Sequence, residues 1–415
     1  MAFARERRTI YGLVISALGT TDRADPTSKR RSLHLIDGED FRSLPLRRRL
    51  RRNRAPVEGK SAIMKIRVFV IACILFVALP VYAARADNIV VGVNAYGADV
   101  GQMADNGVKT LRISLLPGLP VDFVIQAYQH GIGSVVIVYP FVGSKVKPKG
   151  SWARVPFSQL RPEEFVEGFQ PMLDKLEAAG VRLTAMELDA EINTSGFDGD
   201  IPAPGSRRVL GLSDLNNPHD SEASIIAAGY RAYLKVMAAL KDLRDHSKLN
   251  QHTPIISAGL AAVGPPSPKA SGWNTGLAVS MSDTIEFMRQ NGMDRLVDGY
   301  GLHLYPDADP HKSATARIAS LEQTHFFGAC TRAKPCWLTE WGIGNSDQSC
   351  PVNDAPRKQA IGSLRTAFQH FVSQGRLAAI IWYAWVGVPG EKTDMWAIFR
   401  CGALTDAGKL ALSPM

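Results

Sequence analysis

Residues 134–141 read SVVIVYPF, and residues 162–179 read PEEFVEGFQPMLDKLEAA. The first stretch is short, apolar and rich in β-branched residues, which is typical of a strand covered on both faces. The second has apolar residues at helical spacing, with Pro and two acids in its first turn and Gly180 directly after it; these are helix start and stop signals. A strand followed by a helix is therefore the unit from which this fold is built.

The same unit recurs through residues 87–415. Candidate strands lie at 89–96, 110–116, 134–141, 182–190, 254–260, 297–305, 336–341 and 378–385. Helical patterns include 162–179, 220–244, 281–291, 313–327 and 356–374. Eight strands and about as many helices predict an α/β protein with one closed (β/α)8 barrel domain. A doubly wound open sheet is the alternative, but the first strand runs into Asn94-Ala95-Tyr96-Gly97, which lacks a Gly-rich phosphate turn.

The loops indicate which end of the barrel carries the site. Links from helix to strand are short, whereas long links from strand to helix are predicted at 142–160, 194–218, 262–280, 342–354 and 386–405. Long loops therefore gather at the C-terminal ends of the strands, where barrel active sites lie. They carry Trp152, Trp273 and Trp396, which can stack on sugar rings or can simply pack within the fold.

The charge is concentrated at the N-terminus. The chain has 48 Lys+Arg and 39 Asp+Glu, a net charge of +9. Residues 1–86 hold 18 basic and 7 acidic residues, so subtraction leaves 30 and 32 for residues 87–415. The nearly neutral body gives no indication of a nucleic-acid partner.

The N-terminal residues predict export. Residues 64–67 are a short positive segment, residues 68–79 are apolar, and two candidate cleavage sites with small residues follow, at 81–83 and 84–86. This order is typical of a secretory signal peptide over 64–86, and twelve apolar residues are short for a membrane-spanning helix. The Arg-rich residues 1–63 are expected not to belong to the mature protein, a basic tail for nucleic acid or lipid being the alternative. We expect a periplasmic or secreted monomer without stable membrane insertion; an uncleaved anchor is the alternative.

Four cysteines remain beyond the predicted cleavage site. An even number in an exported chain indicates disulfides. Cys330–Cys336 would be a local bridge, and Cys350–Cys401 would tie two late loops. The chain has no CxxC pair and no histidines at zinc-ligand spacing, so we expect no metal and no other cofactor.

Two glutamates stand at the ends of predicted strands. Residues 186–193 read MELDAEIN and residues 336–342 read CWLTEWG. Glu191 and Glu340 thus lie at the C-terminal ends of strands four and seven, where a carboxylate must be paired, hydrogen-bonded or wet. Retaining glycoside hydrolysis requires two such groups facing one space, one to protonate the leaving oxygen and one to attack the anomeric carbon.

Neighbouring strands offer groups that support this chemistry. A nucleophilic carboxylate must stay ionised, and a nearby Arg or Tyr hydroxyl favours its charged form. Strand two supplies Arg112, and His303 and Tyr305 share one face of strand six. Trp382 and Trp385 at the end of strand eight could form an aromatic floor.

On these residues the sequence resembles the clan of retaining (β/α)8 glycoside hydrolases, the cellulase- and xylosidase-like superfamily, with the acid/base on strand four and the nucleophile on strand seven. The matching residues are Arg112, Glu191, His303-Leu304-Tyr305, Thr339-Glu340-Trp341-Gly342 and Trp382 or Trp385. The resemblance implies that Glu191 is the acid/base and Glu340 the nucleophile. It also implies that Tyr305 contacts Glu340 and that Arg112 supports it.

The segment after strand four departs from the clan pattern. The clan usually has Asn before the acid/base, where it binds the sugar 2-hydroxyl, and often Pro after it; this chain has Ala190 and Ile192. Asn193 or Asn94 is the candidate replacement. Glu187 and Asp189 share a strand face with Glu191 and are interpreted as buried structural carboxylates, a role in the site being the alternative. The expected substrate contacts are Arg112, Asn94, Tyr96, Asn193, His303, Tyr305, Trp341, Trp382 and Trp385.

The function predicted from the sequence is that of an exported retaining glycoside hydrolase acting on a β-linked oligo- or polysaccharide. One alternative is a transglycosylase of envelope polysaccharide, in which a sugar replaces water as acceptor. The other is a non-catalytic carbohydrate-binding barrel, motivated by the missing Asn before Glu191.

Overall fold

The computed structural model describes residues 89–415, apart from 96–97, 117–120, 152, 204, 269–275, 307–311, 348 and 388–394. The predicted extension 1–63, the predicted signal peptide 64–86, and Tyr96, Trp152 and Trp273 lie outside the described residues. Among the described residues, no helix combines the length and apolarity needed to cross a lipid bilayer.

Eight parallel strands form a nearly closed barrel. They are β1 Val90–Asn94, β2 Thr110–Leu115, β3 Gly133–Val138, β4 Ala185–Leu188, β5 Ile255–Ile256, β6 Tyr300–Leu304, β7 Cys336–Trp341 and β8 Leu377–Trp382. Their order in the sheet is β5-β4-β3-β2-β1-β8-β7-β6. Parallel bridges Ile256↔Gly299 and Leu260↔Leu302 join β5 and its exit to β6, which completes the ring. The predicted (β/α)8 barrel is confirmed.

Besides the short helix Leu212–Leu215 in the loop after β4, eight helices in the described residues alternate with the strands on the outside of the barrel. They are α1 Val100–Asp105, α2 Val121–Gln129, α3 Pro162–Ala178, α4 Ser221–His246, α5 Met281–Gln290, α6 Ala314–Gln323, α7 Ala355–Ser373 and α8 Asp406–Leu412. The signals in the sequence mark their ends. Asp220 caps α4 by accepting hydrogen bonds from two backbone N–H groups of its first turn, and Gly180 ends α3 with a φ of 77°, a conformation that glycine adopts without strain.

The interior of the barrel has two layers of different character. The lower layer is a small apolar cluster of fully or nearly fully buried side chains: Val135, Ala185, Ile256, Trp337, Ala379 and Ile381. The upper layer, toward the C-terminal ends of the strands, is polar and equally buried: Asn94, Arg112, Glu187, His303 and Thr339. Because side chains alternate along a strand, each inward position two residues further along lies one layer higher. The polar layer therefore forms the floor beneath the barrel mouth.

Two disulfides are present, one local and one long. Cys330–Cys336 closes a short segment before β7, and Cys350–Cys401 joins the loops that follow β7 and β8. Arg400 reinforces this second link by donating to the backbone oxygens of Asn345 and Asp347 at 3.2 and 2.5 Å. The two predicted bridges are confirmed, and the longer one fastens two loops of the barrel rim to each other.

Candidate active site

The polar layer is centred on Arg112, which β2 directs into the barrel. Its Nε and Nη2 donate to the two oxygens of Glu187 at 2.5 and 3.1 Å, and both side chains are fully buried. Glu187 Oε1 also accepts from Thr339 Oγ1 at 2.8 Å and from the backbone N–H of Gly259 at 2.9 Å. Glu187 thus accepts four hydrogen bonds from three parts of the barrel and has no access to solvent. This arrangement fits the structural role that the sequence favours for Glu187.

Arg112 also reaches Glu340 at the mouth. Its Nη1 donates to Glu340 Oε1 at 2.7 Å, while Tyr305 Oη donates to Glu340 Oε2 at 2.5 Å. The side chain of Glu340 is 13% exposed. Burial raises the pKa of this carboxyl, but His303, Arg112 and the Tyr305 hydroxyl together outweigh burial and lower the pKa below its ordinary value. Glu340 is therefore held in its ionised form.

Glu191 faces Glu340 across His303. The Nδ1 atom of His303 lies 2.9 Å from Glu191 Oε1 and 3.4 Å from Glu340 Oε2. Burial lowers the pKa of His303, and the two carboxylates raise it further than burial lowers it. His303 Nε2 faces Gly259 and has no hydrogen-bond partner in the described part of the chain, so Nδ1 is the nitrogen whose proton is shared with a carboxylate.

A break in strand geometry brings Glu191 to the mouth. β4 ends at Leu188, and Asp189 and Glu191 have φ values of 67° and 48°, in the left-handed region. The backbone N–H of Glu191 donates to Gly259 O at 2.7 Å, which fixes the turn. The expectation that Glu187, Asp189 and Glu191 share one strand face is therefore wrong, because strand alternation stops after Leu188. Glu191 is 19% exposed at the rim, whereas Glu187 is enclosed below it.

Asp189 has a different environment from either glutamate. It is 1% exposed, and its Oδ1 accepts from the backbone N–H of Ala190 at 2.7 Å. Its Oδ2 has no hydrogen-bond partner among the described residues. Burial raises the pKa of Asp189 well above its ordinary value. Asp189 is therefore a buried carboxyl without a compensating cation in hydrogen-bond contact, which agrees with its interpretation as a structural group.

Both candidate asparagines are enclosed in the fold. Asn94 is fully buried; its Nδ2 donates to the backbone oxygens of Thr339 and Trp382, and its Oδ1 accepts from Arg112. Asn193 is also fully buried; its Nδ2 donates to Ala261 O and Val279 O, and its Oδ1 accepts from Ala261 N. Because these amides are saturated by the fold, the expectation that either one replaces the missing Asn contact to the sugar is not met.

The three tryptophans expected to contact substrate are fully buried. Trp341 and Trp382 pack edge to face with ring centroids 4.8 Å apart, and Trp385 stacks on Phe399 at 5.0 Å. Their faces are used in packing, so the expected aromatic floor of Trp382 and Trp385 is corrected: these rings belong to the core. The sequence does not distinguish core packing from stacking on a sugar, because a Trp at the end of a strand can do either.

A different group of aromatic rings lies beside Glu340. Tyr305, 36% exposed, packs against Trp396 at 5.0 Å and against Tyr383 at 6.1 Å. Tyr383 and Trp396 are both partly exposed. Gly342 makes this approach possible, because a Cβ there would lie 3.2 Å from the Trp396 ring. Tyr383 is not among the predicted substrate contacts, although it belongs to the predicted aromatic run 382–385; strand alternation turns it to the face opposite its neighbour Trp382.

Glu191, His303 and Glu340 are also the one group of three potential metal ligands found in the described residues. One donor atom from each lies within 4.8 Å of the others. Arg112 already places a positive charge 2.7 Å from Glu340. The guanidinium would repel a cation bound at the same carboxylate, so the trio is better suited to holding and transferring protons.

No protein-family model matches this sequence, and no curated protein matches it. Among solved structures, it is similar to a fungal β-1,4-galactanase with 15% identity over 78% of this chain and 93% of that chain, TM-score 0.46. It is similar to a family 39 glycoside hydrolase from the gut symbiont Bacteroides cellulosilyticus WH2 (14% identity, 79% and 63% covered, TM-score 0.48), of whose length it spans less than two thirds. A broad-specificity endoglucanase from an uncultured bacterium shows 12% identity over 79% and 94% of the two chains, TM-score 0.47. Each is a similarity of structure at low sequence identity.

Proposed function

We propose that this protein is an exported glycoside hydrolase that cleaves a β-linked glycan with retention of anomeric configuration. The observation that carries the proposal is the pair Glu191 and Glu340, whose carboxylate oxygens come within 4.8 Å of each other at the barrel mouth. Retaining enzymes hold their carboxyl groups about 5–5.5 Å apart, and inverting enzymes about 6.5–9.5 Å apart to admit a water molecule. The nearest oxygens of Glu191 and Glu340 lie closer together than the carboxyl groups of inverting enzymes, which supports the retaining mechanism.

The two environments assign the two roles. Glu340 has a lowered pKa and receives hydrogen bonds from Arg112 and Tyr305, so it is the nucleophile. One Glu340 oxygen bonds to the anomeric carbon as the glycosidic bond breaks, and Glu191 gives its proton to the leaving oxygen. Glu191 then takes a proton from water, whose oxygen attacks the anomeric carbon and releases Glu340. Glu191 is the more exposed of the two; it stays ionised between the two steps, and the proton it takes from water restores it for the next cycle.

His303 serves both steps from its position between the carboxylates. The proton on Nδ1 can be shared with Glu191 when that group is ionised, and the imidazole lies close enough to favour the charged form of Glu340. Arg112 links Glu340 to the buried Glu187 and so fixes the nucleophile to the barrel interior. These contacts hold the reacting carboxylate in place before substrate binds, which reduces the cost of reorganisation in the transition state.

Export is supported by two features of the chain. Residues 64–86 have the order of a secretory signal, and the folded domain contains two disulfides, which persist in oxidising compartments. Fractionation of the native host with an antibody to the barrel domain tests this part. We expect the protein outside the cytoplasm with an N-terminus near residue 87; recovery of a cytoplasmic chain that still carries residues 64–86 would refute export.

The activity is tested by screening labelled β-glycans and following the first product by proton NMR. We expect the β-anomer to form first and then to mutarotate, and a slowly released 2-fluoro-glycoside to label the peptide that contains Glu340. First release of the α-anomer would contradict retention. A label on any other carboxylate would contradict the assignment of the nucleophile.

A further inference from the structure

The loop between β3 and α3 differs in charge from the rest of the barrel. Residues 142–160 contain Lys145, Lys147, Lys149 and Arg154 and no acidic residue. The whole of residues 87–415 has 30 basic and 32 acidic residues, from 48 less 18 and 39 less 7. An excess of four positive charges on one loop is therefore a local feature, and it lies at the end of the barrel that carries Glu191 and Glu340.

Backbone contacts fasten this loop to the loop that follows β4. Gly199 N donates to Val155 O at 3.0 Å, and Lys149 Nζ donates to Gly199 O at 3.0 Å. Arg154 Nη2 donates to Ile201 O at 3.1 Å. The loop after β4 begins at the turn that carries Glu191. The basic loop is thus attached to the same segment as the proposed acid/base.

Lys145 and Lys147 remain available to a ligand. Both are exposed, and neither ammonium group makes an ion pair with a carboxylate in the described part of the chain. The nearest contact is through the backbone: Lys145 N–H donates to Glu164 at 3.2 Å, while its side chain stays in solvent. Two acids on the adjoining loop, Asp198 and Asp200, are buried, and Asp200 accepts hydrogen bonds from the backbone N–H and the hydroxyl of Ser158, so neither carboxyl faces a ligand at this surface.

We propose, on the basis of the glycosidase function above, that the substrate is an anionic polysaccharide and that Lys145 and Lys147 bind its carboxylate or sulfate groups at the rim of the cleft. A neutral glycan has no charge to pair with these two ammonium groups. A chain that carries one anionic group per sugar would place successive charges along the loop. Each exposed contact contributes only a few-fold to affinity, and salt screens it, so the loop favours anionic chains without excluding neutral ones.

The test measures binding of matched glycans to Glu340→Gln, a variant that should hold substrate without cleaving it. Oligosaccharides of β-1,4-glucan, β-1,4-mannan, β-1,4-galactan and β-1,3-glucan are each compared with their C6-carboxylated and sulfated forms by titration calorimetry. We expect at least one anionic form to bind about 3- to 20-fold more tightly than its neutral parent, and the difference to vanish near 0.5 M NaCl. Preference for the carboxylated or for the sulfated form identifies the anionic group.

The double substitution Lys145→Gln and Lys147→Gln assigns the effect to the loop. We expect it to remove the preference for the anionic form while leaving affinity for the neutral parent unchanged. Lys109→Gln is the matched control, since Lys109 is exposed at the opposite end of the barrel, before β2. Equal affinity for neutral and anionic forms, no binding to any member of the panel, or a preference that survives the double substitution would each overturn the proposal.

The two proposals fail in different ways. Turnover of neutral glycans with no charge preference would refute the anionic substrate and support the glycosidase activity. Charge-dependent binding without turnover by the wild-type protein would support the basic loop as a glycan-binding surface and refute the glycosidase activity.

Discussion

The interior of the barrel and its mouth both contain glutamates, but the donors that reach them differ. Glu187 in the interior is fully buried and accepts from Arg112, Thr339 and Gly259. Glu340 at the mouth shares Arg112 with it, adds Tyr305, and keeps a solvent-accessible surface. A carboxylate surrounded by fixed donors stabilises the fold, whereas one held by donors on one side and open on the other can react.

The largest expected difference between these regions is in activity. Glu340→Gln should lower kcat by about 10⁴-fold or more, because an amide cannot form the glycosyl ester. Its loss of stability should be smaller than that of a substitution at Glu187, because Glu340 is partly solvated and Arg112 keeps its two hydrogen bonds to the fully buried Glu187. Turnover of the responsive glycan and thermal unfolding are measured in parallel. Retention of more than about 1% of wild-type turnover would mean that Glu340 is not the nucleophile.

The matched substitution in the interior should act on stability instead. Glu187→Gln removes one of the two carboxylates that pair with the buried Arg112. Breaking a buried ion pair costs about 3–5 kcal/mol. Chemical denaturation measures the free energy of unfolding, with Glu167→Gln on the exposed surface of α3 as control. If Glu187→Gln folds as stably as wild type but loses turnover entirely, the interior and mouth do not differ as described.

The third effect concerns kcat/KM and its dependence on pH, which the groups at the mouth control. Tyr305→Phe removes a hydrogen bond to an ionised group, worth about 1.5–3 kcal/mol, and should lower kcat/KM by about 10- to 100-fold. The Tyr305 hydroxyl helps to lower the pKa of Glu340, so its loss should raise that pKa. The acidic limb of the kcat/KM profile should then move to higher pH. Tyr128→Phe, an exposed tyrosine on α2, should change neither quantity; an unmoved acidic limb in Tyr305→Phe would contradict the contact.

The smallest expected effect is a gain in stability at Asp189, which lies between the two regions. Its folded-state pKa is raised above the unfolded value, so the native state retains a proton that the unfolded state releases above about pH 4. Wild-type stability should therefore fall as pH rises through this window. Asp189→Asn removes the titration, and Asn tolerates the positive φ at this position. We expect the variant to be more stable than wild type at neutral pH, and the difference to shrink as pH falls.

Denaturant unfolding from pH 4 to pH 8 tests this last prediction. Asp174→Asn, an exposed acid on α3, serves as control and should leave the pH dependence of wild type in place. A constant difference between wild type and Asp189→Asn across the whole range would show that Asp189 does not titrate differently in the two states.

The architecture could be predicted from sequence because it depends on local patterns. Apolar β-branched runs such as 134–138, helix starts such as Pro162, and stops such as Gly180 act over a few residues, and their eight-fold repetition allows few other folds. The positions of Glu191 and Glu340 at strand ends could also be inferred, since parallel strands bring their C-terminal ends to one face. The even number of cysteines indicated disulfides in the same way.

The roles of individual side chains required tertiary structure, because they depend on contacts between residues far apart in the chain. Strand alternation predicts that Glu187, Asp189 and Glu191 point to the same side of β4. The positive φ values after Leu188 change this direction, so that Glu187 and Asp189 are buried and Glu191 lies at the mouth. Likewise, the Asn94 amide and the Trp382 ring could each bind a sugar. In the fold, however, the amide already donates to two backbone oxygens, and the ring already packs against Trp341. Sequence by itself determined the barrel and the end at which its carboxylates meet. Tertiary packing decided which polar and aromatic groups remain free for a substrate, because burial and saturation of hydrogen bonds are properties of the assembled fold.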